Sequence, residues 1–180
     1  VYVLVNIISL QLIGLFFTTQ LRTTNINTFE QNIMEQEKIL NYHIREELDK
    51  DKSNSLTESD NDTKSTDTKS SITKLVSEFN IQKLLLVSVI DKDSKIVASS
   101  SKNGNDDYLS KRSFDPQVSQ VLKTGESAKK IQTNPDTNRR VWLYVSPIKK
   151  DNEVVGVVSL MADIESVYQD LVGITKIFTV

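Results

Sequence analysis

Hydrophobic positions divide this chain into a helical first third, a polar gap and a run of alternating strands. Val1 to Phe17 reads VYVLVNIISLQLIGLFF, uncharged, with only Asn6, Ser9 and Gln11 as strongly polar interruptions. As helix it spans about 26 Å, slightly less than the roughly 30 Å of a hydrocarbon core. Residues 1–17 are therefore expected to be a transmembrane helix truncated at its start, since neither an initiator Met nor a basic flank precedes it. A cleaved signal peptide is disfavoured, because Thr18-Thr19-Gln20-Leu21 offers no small-residue cleavage site after Phe17. Beyond Phe17 helical periodicity persists. Ile26, Phe29, Ile33, Leu40, Ile44 and Leu48 recur at spacings of three, four or seven, leaving Glu30, Glu35, Lys38, Arg45 and Glu46 to water. The pattern predicts an amphipathic helix over 18–50. Arg22 to Thr28, RTTNINT, is its weak patch, where β-branched and Asn residues favour a bend.

Residues 51–71 carry one apolar side chain, Leu56, and are expected to form a disordered polar loop, because they bury too little to offset ordering entropy. Ile72, Leu75, Val76 and Phe79 then follow helical spacing behind Ser70 or Ser71 as N-cap. Leu84 to Ile90 is apolar on both faces, as a central strand is, and Asp91 to Ser94 turns the chain into a second strand, Lys95 to Ser99. A short helix has Asp115 as cap, Pro116 at its first position, Val118, Val121 and Leu122 facing inward, and Gly125 as stop. Three strands follow: Lys129 to Gln132, Arg139 to Ile148 and Val154 to Met161, the last two joined by a tight Asp151-Asn152 turn. In the middle one Val141, Leu143 and Val145 take one face; Arg140, Trp142 and Tyr144 take the other. Finally Ile164, Val167, Leu171, Ile174 and Phe178 step as a heptad seam, so 164–180 reads as an exit helix entering a second truncated span. The whole is an α+β domain, core 72–163, on a five-stranded antiparallel sheet, with residues 18–173 outside the cytoplasm of a multi-pass membrane protein.

Composition narrows the chemistry. A net charge of −2 without a Lys/Arg stripe argues against nucleic acid, and the absence of cysteine excludes disulfides and thiolate metal sites. Asp91 and Asp93 begin like a calcium loop, but Ile96 and Lys102 stand where Gly and Glu are required, so no metal or cofactor is expected. Arg139 and Arg140 read either as a clamp for a carboxylate or phosphate or as a solvated strand start. Trp142 and Tyr144 read as pocket lining or as sheet packing. Together Arg140, Trp142 and Tyr144 are the candidate ligand-binding residues. No catalytic constellation is present. The one histidine, His43, lies on the helix seam and reads either as a pH sensor or as an inert surface residue.

The order of elements resembles the PAS-like Cache ectodomain of bacterial sensor histidine kinases. Ile13-Gly14-Leu15-Phe16-Phe17-Thr18, Ile90-Asp91-Lys92-Asp93, Arg140-Val141-Trp142-Leu143-Tyr144 and Ile164 to Tyr168 resemble the WalK (YycG) kinases of low-GC Gram-positive bacteria, whereas 51–71 has no counterpart. The resemblance implies a homodimeric receptor in the lipid bilayer, controlling a cytoplasmic kinase that governs cell-wall homeostasis through a response regulator. Membrane accessory regulators and a cell-wall-derived ligand are the further partners it suggests. With the apolar stripe, it places the dimer and signalling contact on Phe29, Ile33, Leu40, Ile164, Val167 and Leu171. The segment itself is not expected to be an enzyme, since His43-Ile44-Arg45-Glu46 is not the family's His-Glu-Leu-Arg phosphoacceptor pattern. The alternatives are the ectodomain of a chemoreceptor or cyclic-dinucleotide enzyme, or a ligand-free scaffold for membrane proteins.

Overall fold

The computed structural model describes residues 2–53, 61–79, 84–101, 112–134, 137–165 and 167. They fall into two compact units, one of residues 1–34 with 164–180 and the other of residues 35–163. Helix α1 (Tyr2–Ser53, 52 residues) contributes to both. The weak patch at 22–28 does not break the helix. Propagating an existing helix costs far less than starting one, so poor helix formers are carried through it; the hydroxyls of Thr19 and Thr23 donate back to the carbonyls of Leu15 (2.9 Å) and Thr19 (3.1 Å). In the first unit the apolar side chains between Tyr2 and Phe17 are exposed. Among the described residues no helix is long and apolar enough to cross a membrane. Of the exit segment 164–180, Ile164, Glu165 and Val167 are described, Glu165 and Val167 as helix; Leu171, Ile174 and Phe178 lie outside the described residues.

The second unit corrects the reading of 51–71 as a disordered loop. Helix α1 continues to Ser53, and helix α2 spans Asn61–Glu78; residues 54–60 lie outside the described residues. Ile72 and Val76 are buried and anchor α2, so the polar residues upstream extend a helix already nucleated, each adding a backbone bond without needing a core of its own.

Five antiparallel strands follow: β1 (Leu84–Asp91), β2 (Ile96–Ser101), β3 (Ala128–Thr133), β4 (Arg140–Lys150) and β5 (Glu153–Asp163), in the order β2-β1-β5-β4-β3. Helix α3 (Pro116–Thr124) precedes β3 and is capped as its sequence demands. Asp115 accepts from the Gln117 amide at 2.8 Å, and Gly125, at φ 66°, donates to the Val121 carbonyl at 2.8 Å. Asp151 and Asn152 both have positive φ (51° and 69°), the geometry of a two-residue hairpin turn.

Both faces of the sheet are covered, which is why β1 and β4 read as nearly continuous apolar runs. On one face Val118 and Val121 of α3 pack with Ile90, Leu143, Val145 and Val157. The opposite face of β4 presents Trp142, Tyr144, Ser146 and Ile148, level with Ala162, Leu160, Val158 and Gly156 of β5. All of these are buried.

The central position of β5 explains Gly156. A Cβ there would stand 2.6 Å from the Ile90 carbonyl oxygen of the neighbouring strand. Backbone cannot swing aside as a side-chain tip can, so Gly156→Ala is expected to cost about 1–3 kcal/mol. Thermal denaturation followed by circular dichroism measures this as a melting temperature lowered by several degrees.

Candidate functional site

The stripe on α1 has one break, the seven-residue step from Ile33 to Leu40. The position that would fill it, four after Ile33 and three before Leu40, is Glu37, on the same helical face. Glu37 is 2% exposed. Its Oε1 accepts from Asn41 Nδ2 at 3.0 Å and from the Ser146 hydroxyl of β4. Asn41 Nδ2 also reaches the Pro147 carbonyl at 3.1 Å and lies 3.4 Å from Ser146 Oγ. One carboxyl, one amide and one hydroxyl thus tie α1 to β4 inside an otherwise apolar contact. Burial pushes the Glu37 carboxyl above the ordinary value of 4.5, against the weaker pull of its bonds to Ser146 and Asn41 and of the Lys38 charge.

A second tie lies further along the same two elements. Lys150 Nζ, at the end of β4, donates to the Leu48 carbonyl at 2.7 Å and pairs with Asp49 at 2.9 Å. Helix and strand numbers rise together between the ties, so α1 runs alongside β4 in the same direction. Glu37, Asn41 and Ser146 were not picked out from sequence. The available signal was the gap itself, a polar residue at the one stripe position lacking an apolar one.

The structure places the candidate ligand residues differently from an open site. Trp142 and Tyr144 stack at 5.4 Å between ring centroids and 6° between planes, and are 1% and 6% exposed. They pack the covered sheet face, while Arg140 lies at the exposed start of the strand. The three do not share an open surface, because the second face of β4 is covered rather than solvated. Arg139 pairs with Asp163 at 3.0 Å, joining the start of β4 to the end of β5. Open volume occurs elsewhere, in a cleft of about 320 Å³ with Leu48, Ile72, Ile96 and Val97 among its apolar lining and Lys69, Lys95 and Asp91 among its polar lining. Asp91 is committed to the hairpin, accepting from the amides of Asp93 (2.9 Å) and Lys95 (2.8 Å). Among the described residues no group of His, Asp or Glu side chains is arranged to hold a metal ion.

The residues expected at the dimer contact mostly face inward in the single chain. Ile33, Leu40, Ile164 and Val167 are buried within the single chain, Phe29 is half-buried, and Leu171 lies outside the described residues. A stripe already covered by its own chain has no surface left for a second copy. What α1 exposes is the other side, with Ile39 53% and Tyr42 63% exposed and the His43 ring edge-on to Tyr42 at 5.7 Å. His43 also lies 3.7 Å from the Glu46 carboxylate.

A long helix and a short one laid on an antiparallel sheet of order β2-β1-β5-β4-β3 define a PAS-like sensor domain of the Cache type. Solved structures share that fold. The ligand-binding domain of the Campylobacter jejuni chemoreceptor Tlp3, in complex with 4-methylisoleucine, matches with a TM-score of 0.62 at 18% identity, over 91% of this chain and 64% of that one. The sensor domain of the V. cholerae histidine kinase DctB matches with a TM-score of 0.52 at 16% identity, over 81% of this chain and 60% of that one. Residues 71–162 match the model of the WalK sensor protein kinase Cache domain, and the chain belongs to that family. It is 31% identical over 183 aligned positions to the sensor protein kinase WalK of Staphylococcus aureus (strain JH9). That alignment takes in 100% of this chain and 28% of the relative, so the chain spans a little over a quarter of the kinase it resembles.

The two sides of α1 are separable by substitution. Leu40→Ala empties a core position and is expected to lower the unfolding free energy by about 2–5 kcal/mol. Ile39→Ala, on the exposed side, is expected to change it by no more than about 0.5 kcal/mol. Urea unfolding of the two variants at low protein concentration makes the comparison.

Proposed function

We propose that this chain is the extracytoplasmic sensing and signal-transmitting segment of a two-component sensor histidine kinase. Its output would reach cell-wall homeostasis through a cytoplasmic response regulator. The observation that carries this is the family match over residues 71–162 on a sheet whose final strand leads directly into the exit segment. The exposed, uncharged apolar side chains between Tyr2 and Phe17 suit lipid contact, and support a first span at 1–17 paired with a second beginning within 164–180. Residues 18–173 then face outside, and membrane accessory regulators have access to them.

In this reading the protein is a homodimer whose contact uses the Ile39 and Tyr42 side of α1, since Ile33 and Leu40 are buried. Cysteine at position 39 in the full-length kinase in membranes is expected to cross-link between copies, and cysteine at position 44 is not. Equal cross-linking would remove α1 from the interface. A chemoreceptor ectodomain shares the fold, but the family match favours the kinase. The stacked, buried Trp142 and Tyr144 favour input through protein contacts over a ligand seated on that face.

Transmission is proposed to depend on rotational phase. Strand β5 ends at Asp163 and the Ile164-Val167-Leu171 seam begins at once, with no Gly or Pro between them. Two alanines inserted after Asp163 turn a continuing helix by about 200°, whereas seven restore the phase to within about 20° and add about 10 Å. The two-residue insertion is expected to lock response-regulator phosphorylation in one state, and the seven-residue insertion to keep some regulation. Identical behaviour of the two would point to a flexible tether.

A further inference from the structure

We propose that Glu37 is a proton-operated latch between α1 and β4, closing on acidification and loosening towards neutral pH. Its use as a sensory input rests on the function proposed above; the latch itself does not. The carboxyl is buried, and the groups bonded to it are neutral, the Asn41 amide and the Ser146 hydroxyl. A charged carboxylate in that position has exchanged water for two hydrogen bonds and no counter-cation in contact.

The surroundings offset that charge only weakly. On α1, Lys38 acts on it from the exposed side, and His43 lies beside Glu46. On β4 the titratable side chains of the same face are Arg140 at its exposed start, Tyr144, stacked on Trp142, and Lys150, held by Leu48 and Asp49. Lys129 of β3 stands level with Tyr144. Level with Ser146 itself, β5 and β1 present Val158 and Val89, neither of which ionises.

The direction of the effect follows from linkage. The folded protein binds the Glu37 proton more tightly than the unfolded chain does. The stability this contributes is complete below about 4.5 and is lost as pH rises through the raised folded value. Protonation also leaves both bonds to the Glu37 carboxyl intact, the one from Ser146 of β4 and the one from Asn41 of α1, since a neutral carboxyl still accepts from a hydroxyl and an amide. The helix is therefore held against β4 most firmly in acid.

Hydrogen exchange on the full-length kinase in proteoliposomes tests the latch, with outer pH taken from neutral to mildly acidic and the lumen held constant. Protection factors of α1 amides around Glu37 are expected to rise on acidification, by up to about tenfold for each unit by which the pKa is raised. Glu37→Gln, neutral at every pH, is expected to abolish that dependence, while His43→Asn leaves it unchanged. Ser146→Ala removes a bond that favours the charged form, so it is expected to move the midpoint to higher pH. This keeps the test decisive if the Gln variant does not fold. Protection that ignores pH in the wild type, or that keeps its full dependence in Glu37→Gln, overturns the latch. Response-regulator phosphorylation is read in the same vesicles. If protection responds and phosphorylation does not, the latch stands and its sensory use is overturned.

Discussion

A helix with a single apolar stripe can bury that stripe once, and in this protein its own chain buries it. Leu40 and Ile44 lie in the core of the second unit, and Ile33 is buried in the first. Much else follows from that commitment. It leaves the Ile39 and Tyr42 side outward and requires a matching apolar surface on the sheet. β4 and β5 supply that surface by being hydrophobic on both faces, one for α3 and one for the opposite layer. The close approach of β1 and β5 at Gly156 belongs to the same packing, since a central strand buried on both sides has no slack in which to shift.

Much of the fold was legible because it rests on local chemistry. Asp115, Pro116 and Gly125 bracket α3, and Asp151-Asn152 adopts the positive φ values of a two-residue hairpin. The alternation in β4 assigned Val141, Leu143 and Val145 to one face correctly, and whether the other face is solvated or covered is decided by helices distant in sequence. That is why Trp142 and Tyr144 resisted assignment. The polar stretch 51–71 misled for a different reason. Composition reports what a segment can bury, whereas Asn61 to Ser71 needs only to extend a helix that Ile72 and Val76 already hold.

The candidate site was less legible because it consists of long-range polar partners. Glu37 and Asn41 share a helical turn, but Ser146 lies 109 residues from Glu37, and nothing local announces their meeting. The break in the stripe marks where a partner was needed without saying which. Membership of a sensor family narrows the role of such a contact, while the Tlp3 and DctB structures, at 18% and 16% identity, speak to the fold alone.

The two ties between α1 and β4 differ in kind, and that difference gives the helix a mechanics. The Lys150 tie joins an ammonium group to a backbone carbonyl and a carboxylate, whereas the Glu37 tie joins a buried carboxyl to a hydroxyl. They lie eleven residues apart, about 16 Å along the helix. Between them Leu40 and Ile44 stay buried, so the interval is also held by apolar packing. Releasing the Glu37 tie loosens one end of that interval, while the Lys150 tie and the apolar packing keep the other end in place.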